Sequence, residues 1–252
     1  EIFAADETQG FALLEDFGDN LLLGQLSSET ADSLYRAAIT TLISLQNCPL
    51  SFPDTFPSFD KSFILKELHV FTEWFLGAYL KINLTTAEKK LIQTSFDWIS
   101  HEVSQQPQCL IHRDYHSRNI MVLGKTADSP LGLIDFQDAM IGPLTYDLVS
   151  LLKDCYVQWP KEQIMQWVSF FYEQSAIAQQ TSLDLFIRAF DTSGLQRHLK
   201  VLGVFSRLYL RDNKPGYLND LPLTLNYVLD CLETHEELQP FYRFIQQRVQ
   251  LP

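Results

Sequence analysis

The sequence C-L-I-H-R-D-Y-H-S-R-N, residues 109–119, decides the fold of this chain of 252 residues. It begins with a short apolar run, residues 109–111, and continues into a polar loop. A second apolar run, residues 120–123, leaves the loop, and a third follows at residues 131–134. Short apolar runs bounded by polar and turn residues are typical of buried strands. The pattern therefore predicts a strand, a loop, a second strand, a turn and a third strand.

Three carboxylate or amide side chains lie at the ends of these predicted strands. Asp114 and Asn119 lie in the loop, five positions apart, and Asp135 directly follows the third run. Phosphoryl transfer needs a carboxylate that orients the attacking hydroxyl and oxygen ligands that hold Mg²⁺ on the nucleotide phosphates. We predict that Asp114 is the catalytic base or orients the hydroxyl, and that Asn119 and Asp135 are the metal ligands. The alternative is a strand-rich segment with structural, hydrogen-bonded acids.

The order of these residues resembles the protein-kinase pattern H-R-D-x-x-x-x-N followed by D-F-G. Residues 112–119 match its first part, and Asp135-Phe136 match its second, with Gln137 in place of glycine. Residues 134–148 and 194–203 are similar to the aminoglycoside-phosphotransferase/choline-kinase superfamily. Within it, they most resemble the bacterial branch that phosphorylates the anomeric hydroxyl of N-acetylmuramate and N-acetylglucosamine in cell-wall recycling.

The resemblance implies an α+β, protein-kinase-like fold: a mostly helical C-lobe with a small β catalytic insert. It also implies an ATP-dependent, Mg²⁺-dependent small-molecule kinase whose partners are a nucleotide and a sugar acceptor. Two alternatives stay open. One is a kinase for another small acceptor, such as an aminoglycoside or a choline-like compound, and the other is a non-catalytic kinase-like binding protein. Retention of all three oxygen-bearing residues argues against the non-catalytic alternative.

A kinase of this kind also needs a small N-lobe that contains a phosphate-covering loop and a strand lysine. The first lysine is Lys61, and no glycine-rich loop precedes Gly10. We therefore expect that the N-lobe is largely missing from this chain. Residues 1–19 would be a remnant of its strands, with a hairpin over 2–6 and 10–14, and residues 20–252 would form the C-lobe.

The resemblance further suggests that Glu15, Asp16 and Phe17 form the hinge that contacts adenine through main-chain groups. The alternative for these residues is an ordinary turn between a strand and a helix. Since the hinge would act through its backbone, the identity of the side chains carries little information there.

Composition excludes several classes of function. The formal net charge of −12 argues against nucleic acid as a partner, because a phosphate backbone needs a basic face. The four cysteines are scattered, which favours reduced thiols over a disulfide framework or a zinc site. No apolar run approaches the roughly 20 residues of a membrane span, and no signal-peptide pattern is present. We expect a cytoplasmic protein.

Candidate acceptor contacts come from two places in the sequence. Glu73 and Trp74 lie on a predicted helix that faces the acceptor pocket in the sugar-kinase branch; a core tryptophan and a solvated glutamate are the alternative. His116 and Arg118 lie in the catalytic loop, and Asp138 follows Asp135. Arg118 could neutralise a phosphate or an anionic acceptor, or it could pair with a nearby acid such as Asp138 or Asp147.

A basic cluster is unusual in so acidic a chain. It comprises Arg197, His198 and Lys200, with Arg207 and Arg211 further along the same predicted helical segment. We predict that Arg197 and His198 bind substrate, because the lactyl carboxylate of N-acetylmuramate would need a cationic partner. The alternative is a set of solvated or paired surface cations.

Apolar periodicity predicts helices through most of the remaining chain. The motif Thr85-x-x-Glu88 predicts a capping box at the start of one of them. Gly194 is expected to separate two helices in the C-terminal third. The predicted helical segments are 28–46, 61–80, 85–105, 147–156, 161–180, 182–190, 195–211, 221–234 and 240–249.

Overall fold

The computed structural model describes residues 1–49, 55–124 and 129–252. Helices make up most of the described chain. They are α1 (Leu22–Gln25), α2 (Ala31–Gln46), α3 (Lys61–Val70, continued by a π-helix over Phe71–Tyr79), α4 (Thr86–Ser104), α5 (Tyr146–Leu152), α6 (Lys161–Gln174), α7 (Leu183–Asp212), α8 (Leu221–Thr234) and α9 (Gln239–Arg248). Short 3₁₀ segments occupy Ala178–Gln180, Pro215–Asp220 and Glu236–Leu238.

Three antiparallel strand pairs accompany these helices. The strands are β1 (Ile2–Asp6), β2 (Phe11–Leu14), β3 (Gln108–Ile111), β4 (Ile120–Val122), β5 (Leu131–Leu133) and β6 (Met140–Pro143). β1 pairs with β2, β3 with β6, and β4 with β5. The predicted N-terminal hairpin and the three predicted catalytic strands are confirmed.

The fourth strand of the catalytic region, β6, was not predicted. Glycine and proline are uncommon inside strands, but Gly142 and Pro143 pair with Cys109 and Gln108. A side chain at position 142 would collide with Ile111 and Phe59, so glycine is needed where these side chains cover the strand. The proline does not interrupt the pair because it is the last residue of β6, so its missing amide falls at the end of the ladder.

The capping box at the start of α4 is confirmed. The Glu88 amide donates to Thr85 Oγ1 at 3.2 Å, and the Thr85 amide donates to Glu88 Oε2 at 2.8 Å. These two contacts satisfy amides that have no partner inside the helix. The helix therefore begins where the local sequence predicts it.

Two predicted helices of the C-terminal third are in fact one. α7 runs for 30 residues through Gly194, so the predicted break at that position is wrong. A Cβ atom at position 194 would lie 2.9 Å from Val149 Cγ2, which shows how closely α5 packs against α7 there. Tertiary packing overrides the low helix propensity of glycine at this position.

Two further boundaries differ from the prediction. α5 ends at Leu152, short of the expected residue 156. The predicted segment 161–180 divides into α6, which ends at Gln174, and the 3₁₀ turn Ala178–Gln180. Ser175, between them, is buried, and its hydroxyl accepts from the Ala178 amide at 3.3 Å. Such side-chain contacts to the backbone favour turns over helix.

The core surrounds α7, whose central residues 192–199 are all buried. α3 with its π-helical continuation, α4, α5 and α8 pack around it. Large aromatic side chains, among them Phe71, Phe75, Phe96 and Phe190, are fully buried between these elements. Within residues 1–49, 55–124 and 129–252, no helix combines the length and the apolar character that crossing a membrane requires.

Two helix backbones approach each other very closely at Gly203. A Cβ atom there would lie 2.8 Å from the Phe71 amide nitrogen and would collide with the carbonyl group of Val70. These are backbone atoms, so they cannot move aside as a flexible side chain would. The change from α-helical to π-helical winding begins at the same place, Phe71.

We expect Gly203→Ala to lower the free energy of unfolding by about 1–3 kcal/mol, because the added methyl group forces two helix backbones apart. Chemical denaturation measures the effect. Gly24→Ala is the control, since nothing lies within 4 Å of a Cβ atom at position 24. Equal stability of the two variants would contradict the tight crossing.

Candidate active site

The loop between β3 and β4 is held at its start by a buried carboxylate. Asp147, in the first turn of α5, accepts from the amides of His112 and Arg113 at 2.6 and 3.0 Å. Arg113 has a positive φ of 75°, so the backbone turns sharply before Asp114. Burial raises the pKa of Asp147 to about 7, and the two donating amides oppose that rise. Asp147 therefore binds the loop backbone and does not form the ion pair with Arg118 that the sequence left open as an alternative.

A second buried carboxylate holds the middle of the loop. Asp154, just after α5, accepts from the Ser117 amide at 3.0 Å and from the Ser117 hydroxyl at 2.5 Å. Both residues are fully buried. These two contacts satisfy the Ser117 amide and hydroxyl inside the protein, and they favour one conformation of the middle of the loop.

The end of the loop is joined to β5. The Asn119 side-chain amide donates to the Asp114 backbone carbonyl at 3.0 Å, and the backbone carbonyl of Asn119 accepts from the Ile134 amide at 3.1 Å. The ring of His112 is buried and lies 3.0 Å, Nε2 to O, from the Ile134 carbonyl. His112 therefore braces the loop and holds Ile134, the residue before Asp135, against it.

A buried charge cluster lies beneath the loop. Glu67 Oε1 pairs with Arg113 Nη2 at 3.0 Å and with Lys200 Nζ at 2.8 Å, and Glu67 Oε2 accepts from Gln196 Nε2 at 2.9 Å. Burial acts to raise the pKa of Glu67, but the charge of Lys200 and the donated hydrogen bonds outweigh it and lower the pKa. The cluster ties α3, the catalytic loop and α7 together.

These contacts place Asp114, the predicted catalytic residue, and Asn119 and Asp135, the predicted metal ligands, around one cavity of about 350 Å³. Asp135 reaches it with a positive φ of 64°, an uncommon conformation for a residue other than glycine. The cavity is lined by Asp114, Asn119 and Asp135 together with His116, Arg118, Tyr146, Cys155, Tyr156, Arg197, Lys200, Val201, Val204, Phe205, Leu208 and Tyr217. A volume of this size suits a small-molecule ligand.

The charge of Asp114 is set by its neighbours. Burial acts to raise its pKa, but the positive charges of Lys200 and Arg197 outweigh burial and hold the pKa below its usual range. The carboxylate is therefore ionised at neutral pH and can accept a hydrogen bond from a bound hydroxyl. Burial lowers the pKa of His116 in the same cavity, so this ring is neutral at pH 7.

Asn119 and Asp135 suit a hard divalent cation. The side-chain nitrogen of Asn119 already donates to the Asp114 carbonyl, which leaves the side-chain oxygen, Oδ1, for a further partner. Asp135 is exposed, and its Oδ1 accepts from Gln137 Nε2 at 2.7 Å. Amide and carboxylate oxygens are the ligands that Mg²⁺ prefers, so the donor set fits that ion.

Three of the predicted acceptor contacts line the cavity: His116, Arg118 and Arg197. Arg197 is 4% exposed, and in the described part of the chain it forms no ion pair. Its Nη1 lies 3.6 Å from Cys155 Sγ. The guanidinium of Arg118 lies 3.6 Å from the centre of the Tyr156 ring and pairs with neither Asp138 nor Asp147.

The other predicted contacts lie outside this cavity. Glu73 is exposed and Trp74 half-buried on the π-helix. Asp138 is exposed, and its carbonyl accepts from Arg113 Nη1 at 3.4 Å. His198 is buried, its Nε2 lies 2.9 Å from the Lys153 carbonyl, and its ring stacks on Tyr227.

Several lining residues were not predicted. Lys200 belongs to the basic cluster and lies three positions, nearly one helical turn, beyond Arg197, so helical spacing could have identified it. Tyr156, Phe205 and Tyr217 also line the cavity. They come from separate elements, and nothing in their local sequence distinguishes them from core aromatics.

The predicted hinge lines a second cavity of about 590 Å³ beside the first. Glu15, Asp16 and Phe17 face it together with Met121 and the segment Leu133 to Gln137. The Phe17 ring covers Gly132 so closely that a Cβ atom there would lie 2.6 Å from Phe17 Cδ2. Asp135 lines both cavities and so connects the two sites.

We expect Glu67→Gln to lower the free energy of unfolding by about 3 kcal/mol, because it leaves two buried cations without their shared counter-charge. Urea denaturation at neutral pH measures the loss. Glu237→Gln is the matched control, since its ion pair with Arg188 is 39% and 45% exposed and should contribute no more than about 1 kcal/mol. A similar loss in both variants would show that the buried cluster has no special importance.

Comparison with known proteins agrees with this geometry. Residues 2–176 match the model of the phosphotransferase enzyme family. The chain is 37% identical over 240 residues to an N-acetylmuramate/N-acetylglucosamine kinase of Pseudomonas putida, covering 94% of this chain and 69% of that protein. A protein of the same name from Neisseria meningitidis serogroup B is 35% identical, with 97% of this chain and 74% of that protein covered.

Solved structures agree at the level of the fold. An ethanolamine kinase of Plasmodium vivax superimposes with a TM-score of 0.64 at 14% identity, over 97% of this chain and 69% of that one. The ADP-bound aminoglycoside phosphotransferase APH(2'')-Ib does so with a TM-score of 0.53 at 18% identity, over 86% and 70%. The predicted α+β, kinase-like class is confirmed. The chain belongs to the phosphotransferase enzyme family.

Proposed function

We propose that the protein is an ATP-dependent kinase that phosphorylates the anomeric hydroxyl of N-acetylmuramate and N-acetylglucosamine, and so serves cell-wall recycling. The names of the relatives support the acceptor. The observation that carries the proposal is a single cavity in which Asp114, Asn119 and Asp135 lie together with Arg197, a buried arginine that forms no ion pair among the described residues.

Asp114 orients the acceptor. Its ionised carboxylate accepts a hydrogen bond from the anomeric hydroxyl and directs a lone pair of that oxygen at the terminal phosphorus of the nucleotide. The hydroxyl proton passes to the carboxylate as the new O–P bond forms and the bond to the leaving diphosphate breaks. Asn119 and Asp135 would hold Mg²⁺, which neutralises charge on the nucleotide phosphates.

The nucleotide belongs in the second cavity. Its wall of Leu14, Phe17, Met121 and Leu133 offers apolar surface for a base, and the adjoining main chain of residues 15–17 offers hydrogen-bonding groups. Asp135 at the boundary would then meet the phosphates. On this proposal residues 1–19 belong to the N-lobe and hinge, and residues 20–252 to the C-lobe.

The charge of the first cavity favours an anionic or neutral acceptor. Arg118, Arg197 and Lys200 line it, against the acids Asp114 and Asp135. Aminoglycosides and choline-like compounds are cations, and a cavity that lacks an excess of acids offers them little electrostatic attraction. A non-catalytic binding protein is disfavoured because the orienting carboxylate and both metal ligands share the cavity.

The first test is turnover of both sugars by the full-length gene product with ATP. We expect Asp114→Asn to lower kcat by at least about 100-fold, because the amide cannot accept the proton. The control is Asp97→Asn, an exposed acid on α4. Absence of turnover by a wild-type protein that binds ATP would refute the acceptor, and absence of nucleotide binding would favour the non-catalytic alternative.

A second test concerns the lactyl carboxylate, which N-acetylmuramate has and N-acetylglucosamine lacks. We expect Arg197→Met to raise KM for N-acetylmuramate about 10- to 100-fold more than KM for N-acetylglucosamine, because it removes a charge-assisted hydrogen bond of roughly 1.5–3 kcal/mol. Steady-state kinetics with both sugars measure the ratio. The control is Arg211→Met, since Arg211 is exposed and pairs with Asp212. Equal effects on the two sugars would exclude this role.

A further inference from the structure

Three aromatic residues line one part of the acceptor cavity, and we call them the aromatic wall: Tyr156, Phe205 and Tyr217. The centres of the Phe205 and Tyr217 rings are 5.0 Å apart, and those of Tyr156 and Phe205 are 6.3 Å apart. Neighbouring planes are tilted by 38° and 35°. The three rings therefore form one continuous apolar surface.

The end of α7 brings Tyr217 into this surface. Asn213 adopts a left-handed conformation with φ 52° and ends the helix, and the Lys214 amide donates back to the Leu208 carbonyl at 3.1 Å. The chain then turns through the 3₁₀ segment Pro215–Asp220. This reversal returns Tyr217 to the side of Phe205, one of the last residues of α7.

Tyr217 is the ring that remains available to a ligand. Phe205 is only 5% exposed, and Arg118 covers Tyr156 with its guanidinium 3.6 Å from the ring centre. Tyr217 is half-buried, lines the cavity, and its hydroxyl has no hydrogen-bond partner within the described residues. Tyr217 is thus partly exposed beside a polar cavity, whereas the aromatic rings of the core, such as Phe171, are fully buried.

The rest of the cavity is polar and charged. Asp114, Arg197 and Lys200 line it together with the aromatic wall. A pyranose ring has the matching chemistry, since one face presents C–H groups and its rim presents hydroxyls. Stacking buries the C–H face on an aromatic ring while the rim reaches polar groups, and pockets for small molecules commonly combine both kinds of contact.

We propose that Tyr217 is an acceptor-binding residue on which the pyranose ring of the acceptor stacks. The proposal rests on the sugar-kinase function proposed above and assigns separate binding roles to two residues of the cavity. Tyr217 binds the ring that both sugars share, whereas Arg197 binds the carboxylate that only one of them has. Tyr217 acts on acceptor binding and leaves the nucleotide site unchanged.

The experiment measures KM for N-acetylglucosamine, N-acetylmuramate and ATP with the full-length protein and three variants. We expect Tyr217→Ala to raise KM for both sugars by a similar factor of about tenfold, the size expected for a lost aromatic contact. KM for ATP should change less than about twofold. Tyr217→Phe keeps the ring and should stay within about threefold of wild type for both sugars.

Tyr209→Ala is the matched control. Tyr209 is a half-buried tyrosine near the end of α7 whose ring meets the edge of Tyr79 outside the cavity. We expect this variant to keep the wild-type KM for both sugars. A rise in KM for both sugars as large as that of Tyr217→Ala would mean that the effect comes from weakened packing and would overturn the proposal.

The remaining outcomes separate the two proposals. If the wild-type protein turns over neither sugar, the proposed function fails and the stacking proposal fails with it. If wild type turns over both and Tyr217→Ala keeps their KM, or raises KM for ATP equally, only the stacking proposal is overturned. A Tyr217→Phe variant as impaired as Tyr217→Ala would also overturn it, because the hydroxyl would then be the binding group.

Discussion

Buried carboxylates that bind the catalytic loop are the constraint on which this structure depends. Asp147 and Asp154 accept from backbone amides and a hydroxyl of the loop, and Glu67 pairs with the Arg113 side chain. Without these partners, the polar groups of a loop inside the protein would be left unsatisfied, at a cost of about 1–3 kcal/mol each. The helices α3 and α5 and the turn after α5 are therefore as necessary to the site as the loop itself.

The same arrangement concentrates positive charge in a protein that is acidic overall. Lys200 is bound to Glu67, whereas Arg197 forms no ion pair in the described part of the chain. Both keep the pKa of Asp114 low, and both face the cavity. A buried cation that no carboxylate contacts is costly for folding. An anionic ligand that pairs directly with Arg197 would explain why an arginine lies there.

Prediction from sequence succeeded where the signal is local. The capping box at Thr85, the catalytic strands and the shared cavity of Asp114, Asn119 and Asp135 follow from short motifs with fixed spacing. Prediction failed where a contact with residues distant in the sequence determines the local structure. Gly194 continues a helix because Val149 packs against it, and Gly142 joins a strand because Ile111 and Phe59 cover it. Glu73 and Trp74 could not be placed relative to the cavity, because helical periodicity does not specify which neighbour a face meets.

The chemistry of this protein can be inferred from its sequence, since the residue types at positions 112–119 and at Asp135 are those that phosphoryl transfer requires, in the required order. The other residues that line the cavity became evident only from the tertiary structure. Arg197 and Lys200 from α7, Tyr156 after α5 and Tyr217 after α7 reach the cavity through the packing of separate elements. The physical reason is the range of the interactions: a loop motif is specified by neighbours in the chain, whereas a pocket wall is specified by residues up to about a hundred positions apart that meet only when the core forms.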